Sequence, residues 1–154
     1  MAEPGPEVRL VGAGDAALVA GLRRAWTEEQ LAESVSDPSY ADRFTAWWAA
    51  EAGRRLVWVA SVAGTPVGML NVTVFERMPR PDRPPSRWGY LGNAFVLRGH
   101  RSSGIGAVLL DAAVAYAREA GFVRLVLAPS ERSVPFYQRA GFRPANDLML
   151  LDLD

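Results

Sequence analysis

The chain has 154 residues, a length that suits one hydrophobic core, and a single domain spanning 1–154 is expected. It has no cysteine and one histidine, His100, which excludes disulfide scaffolds, cysteine-ligated zinc, iron–sulfur clusters, thiol catalysis and multi-histidine metal sites. Seventeen arginines balance 17 acidic residues to a formal net charge of zero. A nucleic-acid binder usually shows a basic excess, so no nucleic-acid partner is expected.

Residues 8–11 read as a short first strand, ended by Gly12 and Gly14, with Asp15 placed to cap the next helix. Leu18, Val19, Leu22 and Trp26 fall at the spacing of one helix face. Thr27 followed by Gln30 has the form of a capping box, which predicts a fresh turn. Asp37-Pro38 breaks the chain. Tyr40, Phe44, Trp47 and Trp48 then lie at helical spacing, with Gly53 as the stop. The strands 56–62 and 67–75 flank Ala-Gly-Thr-Pro and read as a hairpin.

Four prolines across 78–87 mark a loop, and 88–97 resumes strand character with glycines that hint at a bulge. From Gly104 a helical stripe runs through Ile105, Val108, Leu109, Ala112, Ala113 and Tyr116 to Gly121. Residues 123–128 read as a strand buried on both faces, 133–140 as a short helix, and 147–154 as a last strand. The expected order is β-α-α-β-β-β-α-β-α-β, one mixed α/β domain. The opening decapeptide has no basic segment leading into an apolar one, so no secretory leader is expected. Apolar runs fall far short of the ~20 residues of a membrane span, and a soluble cytoplasmic protein with no membrane partner is expected.

The chemistry concentrates in 95–110, where a strand enters a glycine-bearing loop that opens directly into an amphipathic helix. Unpaired amides and the positive end of the helix dipole make an anion site there, and Gly104 and Gly106 leave room for a phosphate. A dinucleotide fingerprint lacks its third glycine, because Leu109 stands in that place. A P-loop lacks its lysine.

The run Arg101-Ser102-Ser103-Gly104-Ile105-Gly106 has the form R-x-x-G-x-G. It resembles the acetyl-CoA-binding motif of the GNAT N-acetyltransferase family. Downstream, Phe136-Tyr137 followed after three residues by Gly141-Phe142 is similar to that family's C-terminal helix signature. The pair, in order and separated by one helix and one strand, spans roughly 90–143. The resemblance implies the GNAT fold: a mixed central β-sheet with flanking helices and a splayed strand pair that holds acetyl-CoA. It implies acetyl-CoA as co-substrate, with the backbone of Phe95, Val96 and Leu97 beside the pantetheine. The amides of Arg101, Ser102, Ser103, Gly104, Ile105, Gly106 and Ala107 would hold the pyrophosphate. Ser130, Ser133 and Phe136 complete the implied cofactor contacts, and Tyr137 matches the tyrosine that protonates the departing thiolate.

Departures from the family pattern are specific. Ser130 stands where many relatives have asparagine, and Ser133 where many have alanine. No acid lies between Trp88 and Leu97, where some relatives carry a glutamate base. Glu76 is the first choice for that role, Glu28 and Glu29 are others, and His100 sits in the phosphate loop; an acceptor amine of low pKa needs no strong base. Trp26, Trp47 and Trp48 read as core rather than as a wall of the acceptor site. The arginines of the 77–87 loop read as solvated.

The implied activity is acetyl transfer from acetyl-CoA to a primary amine of a small molecule or a peptide N-terminus, by direct attack in a ternary complex. The alternative is a non-catalytic acyl-CoA-binding or regulatory domain, or a module for a protein partner. Homodimers are common in the family, but the sequence locates no interface.

Overall fold

The computed structural model describes residue 2 and residues 4–154. Five strands form one sheet in chain order: β1 (Glu7–Leu10), β2 (Arg55–Val62), β3 (Thr65–Glu76), β4 (Arg87–Val96) and β5 (Leu125–Leu127). The first four run antiparallel to their neighbours, while β5 lies parallel to β4. A parallel neighbour requires a crossover, supplied here by α3 (Ile105–Glu119). The remaining helices are α1 (Ala16–Leu31), α2 (Tyr40–Glu51) and α4 (Val134–Arg139). No helix among the described residues is long and apolar enough to cross a membrane.

Alternation along the strands builds two cores, one on each face of the sheet. Val57, Val59 and Met69 pack with Val19 and Leu22 of α1 on one face. Trp58, Ala60, Leu70, Val72 and Leu91 pack with Ile105, Leu109, Leu110 and Ala113 of α3 on the other. Leu91 and Phe95 are four residues apart on β4, so a regular strand would send both to the same face. They point to opposite ones. A bulge accounts for the inversion: the β3–β4 register slips between Met69, paired with Phe95, and Asn71, paired with Gly92. Asn93 and Ala94 therefore face one residue, Leu70, and Asn93 takes φ +50°.

The end of β4 also sits unusually close to β3. A Cβ placed on Gly68 would stand 2.9 Å from the Phe95 carbonyl oxygen and 3.2 Å from Val96 Cγ2. The first of those neighbours is backbone and has little freedom to give.

Four local expectations are corrected. Asp15 does not cap α1. Its carboxylate accepts from both terminal nitrogens of Arg9 at 3.0 and 2.8 Å and from the Gly12 amide at 2.7 Å. Those bonds hold its pKa down to about 2. Thr27 starts no new turn, because its hydroxyl donates to the Arg23 carbonyl at 2.9 Å inside a continuous helix. The 123–128 strand shrinks to Leu125–Leu127, half-buried and paired on its β4 side alone. No strand forms over 147–154, where Met149, Leu150, Leu151 and Leu153 are exposed. A continuous apolar run announces burial without specifying a face or a partner, and the three-residue β5 offers little edge to pair with.

Substituting Gly68→Ala should overpack the β3–β4 contact and cost about 1–3 kcal/mol. Urea unfolding checks it; an unchanged midpoint would mean that the close approach is slack.

Candidate functional site

β4 and β5 share three rungs, Gly89–Leu125, Tyr90–Val126 and Leu91–Leu127, and then separate. Past the bulge, β4 continues to Val96 with β3 on one side and no strand on the other. The unpaired flank of a strand offers N–H and C=O groups to an extended ligand, as a sheet edge does to an added strand.

The loop that follows is held by two anchors. A short 3-10 turn at Arg98–His100 is closed by the His100 amide on the Leu97 carbonyl at 2.9 Å. Glu29, near the end of α1, accepts from the Arg98 amide at 2.9 Å and from the Arg101 guanidinium at 2.5 Å. Arg101 Nε also donates to the Val96 carbonyl at 2.9 Å. One carboxylate thus fastens the loop to the opposite layer. Ser103 turns its hydroxyl back to the His100 carbonyl at 2.6 Å.

Ser102 and Gly104 both adopt left-handed backbone, at φ +63° and +83°, and Gly104 is the residue at which α3 begins. The first hydrogen bond of the helix runs from the Val108 amide to the Gly104 carbonyl at 3.1 Å. The amides of Ser102 through Ala107 have no acceptor among the described residues. Converging free amides at the positive end of a 15-residue helix form an anion-binding concavity. A cavity of about 520 Å³ opens over them.

Val96, Arg101, Ser102, Gly104, Ile105, Gly106, Ala107 and Phe136 line that cavity. Phe136 packs over Gly106, where a Cβ would lie 3.6 Å from its ring. Sequence reasoning missed Arg139 and left His100 without a binding role; both line the cavity. Arg139 lies one helical turn beyond Phe136, and that spacing is the signal that could have found it.

Other expected residues lie elsewhere. Phe95 is buried on the α1 face, stacked on Trp26 with centroids 4.6 Å apart, and Leu97 packs on the same side. Ser130 and Ser133 bond to each other at 3.1 Å where α4 begins. Tyr137 packs beside Phe142 against the α3-face core, and its hydroxyl makes no hydrogen bond among the described residues. Burial pushes its phenol pKa above 10.

Of the proposed bases, Glu76 stands away from the splay. Glu76 is exposed and paired opposite Arg87, five residues before Gly92 and so about 17 Å along the strand. Glu28 accepts from the Val35 amide at 3.1 Å, and Glu29 is committed to the loop.

A second cavity, of about 260 Å³, opens on the α1–α2 face of the sheet. Asn93 of the bulge lines it, as do Trp47 and Trp48, two of the aromatics that read as core. Trp26 and Trp48 both pack on the α1-face core, so Trp48 is core and cavity wall at once.

Comparison with known proteins follows this geometry. The family model described as "Acetyltransferase (GNAT) family" matches residues 19–142. A glucosamine 6-phosphate N-acetyltransferase of Trypanosoma brucei brucei is 30% identical over 90 residues, 58% of this chain and 59% of that protein. The chain spans about half the length of the curated relatives it matches. A predicted acetyltransferase of Clostridium acetobutylicum, solved with acetyl-CoA, superposes with a TM-score of 0.74 at 19% identity, covering 97% of each chain. An aminoglycoside acetyltransferase from an uncultured soil metagenomic sample, in complex with sisomicin, gives 0.75 at 16% identity, covering 97% of this chain and 95% of that one.

Gly104→Glu forces a side chain into left-handed backbone and aims a carboxylate at the free amides. Calorimetric titration with free CoA should show affinity lowered at least tenfold, or about 1.4 kcal/mol. Undiminished binding would refute the anion site.

Proposed function

Because the chain belongs to the acetyltransferase (GNAT) family, we propose that it transfers an acetyl group from acetyl-CoA to a primary amine within a ternary complex. The observation that carries this reading is the run of free amides at the start of α3, beneath a cavity whose upper wall is α4. In this reading the amides of Ser102 through Ala107 hold the pyrophosphate, with Arg139 as a flanking cation and His100 beside it. Glu29 and Arg101 set the loop beforehand, so little ordering remains to be done on binding. The free flank of β4 beyond the bulge aligns the pantetheine, with the Val96 carbonyl already committed to Arg101.

The chain has no cysteine, so the amine attacks the thioester directly. Holding both reactants in one cleft supplies much of the rate. Tyr137 is the proposed acid. Its raised pKa keeps the phenol protonated through neutral and mildly alkaline pH, so it is ready to donate to sulfur as charge develops there. No carboxylate lines the second cavity, so the neutral fraction of the acceptor amine attacks without a carboxylate base there. The same feature favours the non-catalytic acyl-CoA-binding reading, and turnover separates the two.

Tyr137→Phe should lower kcat at least tenfold while leaving the dissociation constant for acetyl-CoA within about twofold. Burial raises the Tyr137 pKa above the ordinary tyrosine value, so any loss of kcat from its deprotonation falls at higher pH than an ordinary tyrosine would give. A wild-type alkaline limb below pH 9 that vanishes in Tyr137→Phe would contradict the assignment. Binding without turnover for any amine would favour the non-catalytic reading.

A further inference from the structure

Two buried side-chain polar atoms lack a hydrogen-bond partner among the described residues, Arg23 Nη1 and Asn71 Oδ1. Their residues line the same 260 Å³ cavity. Buried polar atoms are almost always satisfied, so an orphaned donor and acceptor on two residues that line one cavity ask for a common explanation, the Arg23 guanidinium lying over the Trp26 ring at 4.5 Å. One orphan is a cationic donor and the other a neutral acceptor. A ligand that completes both brings an anionic oxygen and an N–H.

The rest of the lining is aromatic and apolar. Phe44 stacks on Trp48 with centroids 6.1 Å apart and meets Trp47 at 5.4 Å. The polar ends of two lining aromatics are already engaged: Tyr40 donates to the Ala20 carbonyl at 3.2 Å, and Trp48 Nε1 to the Ala13 carbonyl at 3.2 Å. Asn71 Nδ2 reaches Asn93 Oδ1 at 3.4 Å, which ties the orphaned acceptor to the bulge of β4. Arg23 carries the one formal charge in the lining.

We propose that this cavity is the acceptor site, and that it takes an amino acid with one aromatic or large apolar side chain. The carboxylate meets Arg23, the amine meets Asn71 Oδ1, and the side chain lies against Phe44, Trp47 and Trp48. This rests on the acetyl-transfer reading above. The amine nitrogen forms a bond to the acetyl carbon and the C–S bond breaks. The thiolate takes up a proton, and the amine releases one to water. A polycationic aminoglycoside finds a guanidinium and no carboxylate here, and 260 Å³ is small for several sugar rings. A sugar phosphate brings two charges to one guanidinium and many hydroxyls to an apolar wall.

Three readouts separate the possibilities. Tryptophan fluorescence reports phenylalanine binding at Trp47 and Trp48 without turnover, calorimetry reports CoA binding, and a thiol-release assay reports transfer to phenylalanine, phenylalaninamide, glucosamine 6-phosphate and kanamycin. Phenylalanine should bind saturably and give a kcat/KM at least tenfold above those of the sugar substrates. Arg23→Gln should raise KM for phenylalanine at least tenfold, leave kcat within threefold, and leave phenylalaninamide unchanged. Equal losses for acid and amide, or preference for glucosamine 6-phosphate or kanamycin, would overturn the inference while leaving acetyl transfer standing. Failure of CoA to bind would sink the parent reading, and the fluorescence titration would still decide the pocket: no saturable signal with phenylalanine overturns it.

Discussion

Most of the site depends on one bulge in β4. Asn93 and Ala94 share a single partner position on β3, and this extra residue exchanges the faces of everything that follows. Without it, Phe95 would point toward α3 with Leu91 and could not stack on Trp26. The bulge also lies just after the last common rung of β4 and β5, Leu91–Leu127, where their pairing stops. The same irregularity therefore opens the ligand flank on one side and brings Asn93 into the second cavity on the other.

The loop beyond the bulge shows how a weak element is made rigid by a long-range contact. Arg101 and Glu29 are both partly accessible, and a single surface pair of this kind adds little to stability. Its value is geometric. Glu29 grips the Arg98 amide and the Arg101 guanidinium together, and Arg101 reaches back to Val96, so the loop is tied at three points. The left-handed Ser102 and Gly104 then turn the following amides toward one point. The family pattern invites reading Arg101 as a free charge for phosphate; here its guanidinium is largely spent on holding the loop, and Arg139 and His100 are left facing the cavity.

Local patterns in the sequence were legible where one segment carries its own signal. The helical stripe of α3, the hairpin of β2 and β3 and the Gly-x-Gly entry to α3 all appear as expected, because period and glycine placement act within a few residues. A bulge was expected from the glycines of 88–97, and it follows directly on one of them: Gly92 is the last regular rung before Asn93 and Ala94. The errors came from groups whose partners are distant. Asp15, for one, met Arg9 rather than α1. The apolar 147–154 run forms no strand beside the short β5 edge. Trp47 shares a helical stripe with core residues yet is exposed, and periodicity alone does not distinguish a wall from a filling.

The proposed activity depends first on the anion site at the start of α3. Thermal unfolding with acetyl-CoA, NAD and ATP in parallel tests it most directly, since only a ligand that binds the folded state raises the midpoint. At about 100 times its dissociation constant, acetyl-CoA should add about 2.7 kcal/mol. For a chain of this length that is a rise of about 5–10 °C, with no comparable effect from the two nucleotides. No rise with acetyl-CoA, or an equal rise with NAD or ATP, would contradict it.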